Sequence, residues 1–173
     1  HVLIPAGTVH CSGADTMVLE ISATPYIFTF KLWDWGRVDL DGKPRPIHLE
    51  HGAANIQWYR NTEWVHKNLI NAVAEVYSDE NGTVVRTGLH EREFLDTFRF
   101  TTSSALPVHR NGSVHMLNLV DGTRAVLRSK SDAFPPLELH YAETCIVPQA
   151  AGDYEIYSPD GSEVKVILAC VRN

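Results

Sequence analysis

Short segments in which apolar and polar residues alternate dominate the second half of the chain, and turn-forming residues separate them. Between residues 72 and 173 this alternation predicts about eight strands, spaced roughly 8–12 residues apart. The predicted strands cover residues 72–77, 94–101, 114–120, 123–127, 137–141, 144–147, 154–157 and 164–171. Such spacing is typical of an all-β sandwich or barrel.

Two turns in this region have residues that favour a tight reversal of the chain. Asn81-Gly82 stands at the tip of one turn, after Asp79-Glu80. Asp121-Gly122 forms a two-residue turn, and it predicts a hairpin between the strands at 114–120 and 123–127.

The first 71 residues combine strand patterns with one helical pattern. Residues 16–22 and 26–35 alternate and are rich in β-branched or aromatic residues, which predicts two strands. In residues 48–60, apolar side chains recur every three or four positions, which predicts a short helix. A second helical turn is predicted at residues 62–69.

Charge and composition exclude several classes of protein. The 15 basic and 21 acidic side chains give a net charge of −6, which argues against a surface for nucleic acid or anionic lipid. Eighteen consecutive apolar residues, the length of a membrane span, do not occur. Three scattered cysteines favour a reducing cytoplasm over a disulfide-rich compartment. Because the chain opens with His1 in an apolar run, we expect it to be a piece of a longer protein.

The sequence Pro5-Ala6-Gly7-Thr8-Val9-His10 is the sharpest candidate for chemistry. A Pro-x-Gly turn followed by a histidine resembles the second motif of cupins, in which that histidine binds a metal. Imidazole nitrogen suits zinc, iron or nickel. An alternative stays open, in which His10 hydrogen-bonds a backbone carbonyl and binds no metal.

A longer resemblance runs from residue 3 to residue 56. The sequences IPAGTVHCSG (4–13), TMVLEIS (16–22) and TFKLWDWGRVDLDGKPRPIHLEHGAANI (29–56) are similar in order and spacing to class I, cupin-type mannose-6-phosphate isomerases. The resemblance implies an all-β cupin fold, a double-stranded β-helix or jelly-roll barrel, with a short helical connecting segment. It also implies three regions: a remnant of the catalytic cupin (1–45), a helical connector (46–71) and a C-terminal cupin-like domain (72–173).

The family's functional residues match this chain at few positions. His10 matches the last metal ligand of the family, and the resemblance implies zinc with its other ligands upstream of His1. Lys31 stands where the family has its catalytic arginine, and it keeps the positive charge without the planar fork. Arg37 matches an arginine common in the family. A surface position for Lys31 and an ion pair of Arg37 with Asp34 or Asp39 stay open as alternatives.

The function that the resemblance implies is metal-dependent interconversion of mannose 6-phosphate and fructose 6-phosphate, with this chain inactive alone. Two rivals remain: a non-catalytic cupin that binds a sugar or a partner, and a cupin isomerase or epimerase for another sugar. A metal site at His109 and His115 is not favoured, because the surrounding residues lack the His-x-His and glutamate of a cupin's first motif. Exposed apolar strand edges lead us to expect a homodimer.

Overall fold

The computed structural model of the chain describes residues 1–23 and 29–172. These residues form two compact units: an N-terminal unit, Val2–Ile70, and a C-terminal unit, Asn71–Asn173 together with His1. The two units differ in architecture, so each is described by itself.

The C-terminal unit consists of antiparallel strands and one short 3₁₀ turn. The strands are β1 (Ala74–Asp79), β2 (Gly82–Arg86), β3 (Leu95–Thr102), β4 (Ala105–Val108), β5 (His115–Asp121), β6 (Arg124–Ser129), β7 (Leu137–His140), β8 (Thr144–Val147), β9 (Tyr154–Tyr157) and β10 (Val164–Val171), with the 3₁₀ turn at Gln149–Ala151. Each of the eight predicted strands coincides with one of these within two residues at either end. No strand was predicted at β2 or β4.

The strands form two sheets that enclose one core. Six strands pair in the order β1-β2-β3-β10-β5-β8, and four pair in the order β4-β9-β6-β7. Fully buried side chains from both sheets make up the core: Leu117, Leu119, Val164 and Val166 from the first sheet, and Leu106, Leu127, Tyr154 and Ile156 from the second. The prediction of an all-β sandwich or barrel is therefore confirmed for this unit.

The two predicted turns have different outcomes. Asn81-Gly82 joins β1 and β2 as an antiparallel hairpin, and Asp79 Oδ1 accepts the backbone N–H groups of both turn residues at 2.8 and 3.1 Å. The hairpin predicted at Asp121-Gly122 is wrong, because β5 pairs with β8 and β10 whereas β6 pairs with β7 and β9. The Asp121-Gly122 turn instead carries the chain from the first sheet to the second. An Asp-Gly pair therefore suits a connection between two sheets as well as a hairpin within one sheet.

The N-terminal unit contains two short helices, α1 (Leu49–Asn55) and α2 (Thr62–Asn68). Both lie inside the segments for which helix was predicted, and α1 stops before the end of its segment. The side chain of Asn61 caps α2 by accepting the backbone N–H of Trp64 at 2.9 Å. An isolated bridge joins Val2 to Ile70, so the two ends of the unit lie side by side.

The strand predicted at residues 16–22 does not form. Its neighbouring residues Met17, Val18 and Leu19 are 67%, 58% and 45% exposed, so neither face of the alternating segment is covered. Alternation predicts a strand only where another strand supplies hydrogen bonds and cover, and none does so among the described residues. The second predicted strand, 26–35, falls partly on residues 24–28, which lie outside the described residues, and residues 29–35 form no strand.

No helix in the described part of the chain is both long enough and apolar enough to cross a membrane.

Candidate functional site

His10 lies on an exposed loop of the N-terminal unit. Its Nδ1 donates to the backbone carbonyl of Thr8 at 3.0 Å, because a carbonyl can only accept. This bond places the ring proton on Nδ1 and leaves the lone pair of Nε2 available. The hydrogen bond is the one that the non-metal alternative expected, and a metal-binding histidine commonly makes the same bond through its other nitrogen.

An arginine that the sequence patterns did not single out fixes the loop before His10. Arg60 Nη1 donates to the carbonyl oxygens of Pro5 and Ala6 at 3.2 and 2.8 Å and to Thr8 Oγ1 at 2.5 Å. The guanidinium also lies over the rings of Tyr59 and Trp64, 5.5 and 5.3 Å from their centroids. Arg60 therefore ties the turn that carries His10 to the segment between the helices.

Gly7 shows why the Pro-x-Gly turn needs glycine. Its φ of +81° is unfavourable for side chains, and a Cβ at this position would lie 2.7 Å from the carbonyl oxygen of Asn55. The Gly7 carbonyl also accepts the N–H of Gln57 at 2.9 Å. The close approach of two backbones thus fixes the turn.

Lys31 belongs to a cluster of three charged side chains around Asp34. Arg45 donates twice to this carboxylate, and Lys31 Nζ contacts Asp34 Oδ2 at 3.2 Å. Asp34 is 8% exposed, and the hydrogen bond from Arg45 is the main cause that holds its pKa below the usual range. The backbone N–H of Lys31 donates to His48 Nδ1 at 3.2 Å, and the N–H of His48 donates back to the Lys31 carbonyl at 2.7 Å.

Arg37 is exposed, and its backbone links the two halves of the cluster. Its N–H donates to the Asp34 carbonyl at 2.9 Å, and its carbonyl accepts the N–H of Arg45 at 3.0 Å. The alternative role for Arg37, an ion pair with Asp34 or Asp39, does not occur among the described contacts. Asp34 pairs with Arg45 and Lys31, and Asp39 Oδ1 accepts backbone N–H groups at residues 41 and 43.

The structure brings Lys31 and Arg37 into one segment but not into contact with His10. No hydrogen bond or ion pair among the described residues joins His10 to either cation. Arg45, whose charge completes the cluster, belongs to the Asp-Gly-Lys-Pro-Arg turn of the resemblance, but the sequence led to no prediction of its role. The feature that pointed to such a partner was Asp34, between Trp33 and Trp35, because a buried aspartate needs a cation beside it.

Zinc, the metal that the resemblance implies, needs three or four protein donors around one point. His10 offers one nitrogen of suitable chemistry. Across residues 1–23 and 29–172, no group of three or more His, Cys, Asp and Glu side chains is placed to hold a metal ion. The donors in this part of the chain therefore do not fit a zinc site by themselves.

The two histidines considered for a metal in the C-terminal unit have other partners. His109 Nδ1 lies 2.9 Å from Asp153 Oδ2 on the surface. His115 is 2% exposed and hydrogen-bonds Tyr154 and Asn111 through its two ring nitrogens.

Comparison with known proteins extends the description of the fold. No family model matches the chain, and no curated protein sequence matches it. The mannose 6-phosphate isomerase of Bacillus subtilis is similar in structure, with a TM-score of 0.55 and 13% identity over 81% of this chain and 39% of that one. Hazelnut vicilin (Corylus avellana) matches with a TM-score of 0.48 and 11% identity over 60% of this chain and 32% of its own. A cupin-2 domain protein of Rhodospirillum rubrum has a TM-score of 0.48 and 10% identity over 60% of this chain and 72% of its own.

The likeness to the Bacillus subtilis protein is a likeness of fold. Together with the antiparallel sheets, it gives the chain an all-β cupin fold, as the sequence predicted. The chain spans 39% of the length of that isomerase. The two matches with a TM-score below 0.5 carry no further argument, and function has to be argued from the residues.

Proposed function

We propose that this chain is the C-terminal part of an isomerase that interconverts mannose 6-phosphate and fructose 6-phosphate. The observation that carries the proposal is the run of motifs over residues 4–56, in the order and spacing of class I mannose-6-phosphate isomerases. The cupin fold supports it, because a Bacillus subtilis protein with this activity has a similar fold. On this proposal, residues 1–45 are a remnant of the catalytic cupin, 46–71 a connector and 72–173 the C-terminal cupin.

The cluster around Asp34 supplies the charge that such a substrate needs. The reaction moves a proton between C1 and C2 through an enediolate, and both this intermediate and the phosphate are anionic. Lys31 and Arg45 together carry two positive charges against the single charge of Asp34, and exposed Arg37 adds another. We assign Lys31 and Arg37 to stabilising the anion, and Asp34 with Arg45 to holding Lys31 in place.

His10 is the one zinc ligand that we propose from this chain. Because the described donors do not complete a site, no catalytic step is assigned to the metal. We also propose a cytoplasmic protein that forms a homodimer through exposed apolar edges. Exposed residues such as Met17 and Val18 in the N-terminal unit support the dimer, since uncovered apolar segments favour pairing with a second chain.

The test is a calorimetric titration of the chain with mannose 6-phosphate. Mannose, which lacks the phosphate, is titrated as the matched control ligand. We expect the phosphorylated sugar to bind more tightly, and Lys31→Gln to weaken its binding about tenfold because a charge-assisted bond is lost. Lys43→Gln is the control, because Lys43 is an exposed lysine of the neighbouring turn. Its binding should match that of the unmodified chain.

A coupled assay of fructose 6-phosphate formation completes the test. We expect no turnover by this chain when it is prepared free of the host's isomerase, since its donors form no complete metal site. Turnover would show that the chain holds a complete site and would contradict the assignment of a severed one. Failure of both sugars to bind would count against the isomerase.

The second candidate is a non-catalytic cupin that binds a sugar or a partner. The contact between Lys31 and Asp34 favours it, because a lysine already paired with a carboxylate is a weaker anion binder than a free arginine. Equal binding of mannose and mannose 6-phosphate, unaffected by Lys31→Gln, would support this candidate over the isomerase.

A further inference from the structure

A group of polar side chains lies together at one end of the C-terminal unit. His115 begins β5, Tyr154 begins β9 and Cys170 lies near the end of β10, and these three residues are 2%, 0% and 4% exposed. Arg110 and Asn111 belong to the loop between β4 and β5 that covers this end. His115 pairs with Val147 in the strand register, so Val147, the last residue of β8, also lies at this end of the unit.

Hydrogen bonds connect these groups in a single direction. Asn111 Nδ2 donates to Cys170 Sγ at 3.1 Å, so Asn111 Oδ1 is an acceptor and takes the proton of His115 Nε2 at 3.1 Å. His115 Nδ1 is then the acceptor for the Tyr154 hydroxyl at 2.9 Å. The network therefore holds His115 as a neutral imidazole protonated on Nε2, and the Arg110 guanidinium lies within hydrogen-bonding reach of the Tyr154 oxygen.

Arg110 is the charged member of this end. Its backbone N–H donates to Asp153 Oδ1 at 2.9 Å, whereas the partners of its guanidinium are neutral. Its Nε donates to Gln149 Oε1 at 3.2 Å, and its Nη2 donates to the carbonyls of Ser113 and, at 3.4 Å, Val147. Within the described residues no carboxylate forms an ion pair with its guanidinium. Its Nη1 is buried and has no hydrogen-bond partner.

A buried guanidinium nitrogen without a partner has a substantial energetic cost. The cost of a buried unsatisfied donor is larger still when the group is charged. The Arg110 guanidinium lies near the Tyr154 hydroxyl and favours its ionised form, although burial has the larger effect and raises the pKa of Tyr154. Asn111 is exposed while its amide reaches buried groups, so the cluster lies directly beneath the surface.

We propose that Arg110, with Tyr154 and His115 beside it, forms a binding site for a small oxyanion, the carboxylate or phosphate group of a small molecule. One oxygen of the anion accepts from Arg110 Nη1, and its charge balances the unpaired guanidinium. This site belongs to the C-terminal unit and does not depend on the isomerase proposal. Planar guanidinium groups are well suited to both classes of oxyanion.

The experiment compares inorganic phosphate, acetate and sodium chloride at matched ionic strength on the full chain. Imidazole nitrogen signals in long-range ¹H–¹⁵N spectra report on His115, and thermal unfolding reports on stability. At a concentration about ten times its Kd, the bound anion should raise Tm by roughly 3 °C above the chloride value and shift the His115 signals. A response to phosphate alone would identify a phosphate site, and a response to acetate alone a carboxylate site.

Two variants locate the response. Arg110→Gln should abolish both the His115 shift and the Tm increase, whereas Arg124→Gln, an exposed arginine paired with Glu138, should leave them unchanged. Lys31→Gln should also leave them unchanged, which separates this site from the cluster of the N-terminal unit. If Arg110→Gln does not fold, Arg110→Lys replaces it, with an expected loss of affinity of about tenfold.

Two results would overturn the proposal. The first is an equal Tm increase in Arg110→Gln, since phosphate also stabilises folded proteins non-specifically. The second is the absence of any His115 shift with both anions in the unmodified chain. That result would mean that a water molecule satisfies Arg110 Nη1.

Discussion

Arg45 holds Asp34 in a two-pronged ion pair, with Nε 2.7 Å from Oδ2 and Nη2 2.6 Å from Oδ1. Lys31 reaches the same carboxylate from another side at 3.2 Å. Since Asp34 lies three residues after Lys31 and eleven before Arg45, the pair ties the lysine-bearing segment to the far side of the following turn. The position of Lys31 therefore depends on Asp34, which Arg45 in turn holds in place.

Replacing Arg45 by methionine should raise the pKa of Asp34 toward its ordinary value, because the main cause of its lowering is removed. A carboxylate with a lowered pKa stabilises the fold above the pKa of the unfolded chain, about 3.9, and this contribution is lost as the pH falls through the folded value. The variant should therefore be less stable than the unmodified chain at neutral pH. The difference between their free energies of unfolding should become smaller in acid.

The measurement for Arg45→Met is an NMR titration of the Asp34 carboxyl carbon together with thermal unfolding at pH 7 and pH 3. Arg124→Met, which removes the exposed pair with Glu138, is the control and should leave Asp34 unaffected. An unchanged Asp34 pKa in Arg45→Met would show that Lys31 alone holds the carboxylate.

Mild acid should destabilise the C-terminal unit through His115. Burial, with a further effect of Arg110, lowers the pKa of His115 to about 4, whereas an unfolded histidine titrates near 6.5. Stability from the neutral ring is fully present above pH 6.5 and declines as the pH falls toward 4. At pH 5 the loss should be about 2 kcal/mol.

Urea unfolding at pH 7.5 and pH 5 tests this loss. His115→Gln should unfold more easily at pH 7.5 but should show a much smaller change between the two values. His140→Gln, at an exposed position, should keep the full change. Identical pH dependence of the unmodified chain and His115→Gln would show that His115 has the same pKa in the folded and unfolded states.

Gly122 should tolerate a side chain far less well than Gly161, although both have positive φ, +90° and +75°. An added Cβ at Gly122 would lie 2.8 Å from Val164 Cγ1 and 3.0 Å from the Glu163 carbonyl, whereas at Gly161 the nearest atom is 4.0 Å away. Both alanine variants have the backbone cost of about 1–2 kcal/mol, and Gly122→Ala adds about 1–3 kcal/mol of steric strain. Equilibrium unfolding of the two variants would reveal the difference, and equal stabilities would contradict the packing argument.

Arg172 should control the opening of the loop between β2 and β3. Its guanidinium donates to Asp96 Oδ1 at 3.0 Å and to four backbone carbonyls, those of Gly88, His90, Glu91 and Leu95, at 3.2–3.3 Å. Arg172→Gln should increase amide hydrogen exchange in residues 87–94 roughly tenfold. Lysine cannot reproduce so many directed bonds. The amides of this loop should therefore exchange almost as fast in Arg172→Lys as in Arg172→Gln. Exposed Arg92 of the same loop provides the control variant, and its replacement should leave exchange unchanged.

The sequence was most informative where burial alternates with exposure. In β5, residues 115, 117 and 119 are buried and residue 116 is exposed, so the two-residue period of this strand could be predicted from the amino-acid sequence. The alternation does not show which strands pair with each other. For this reason Asp121-Gly122 was predicted to form a hairpin. Residues 16–22 carry the same alternation without covering strands, and they show that the pattern alone does not form a strand.

For the candidate site, sequence reasoning found residue types and missed their partners. Lys31 and Arg37 were singled out by resemblance, but the ion pair of Asp34 belongs to Arg45, because the turn between residues 37 and 45 folds back on itself. Arg60 acts on a loop more than fifty residues earlier, and Arg110 acts on strands that follow it. Contacts at such separations depend on topology, which local spacing does not encode.

The position of β10 has a consequence for how the C-terminal unit is made. β10 pairs with β3 on one side and β5 on the other, yet it is the last strand of this sheet to be synthesised. While the ribosome is still translating earlier residues, β3 and β5 each have an open edge that their neighbour has not yet filled. The unit therefore completes its six-stranded sheet only when residues 164–171 have emerged. Until then two unpaired strand edges are exposed in the nascent chain, and such edges favour aggregation.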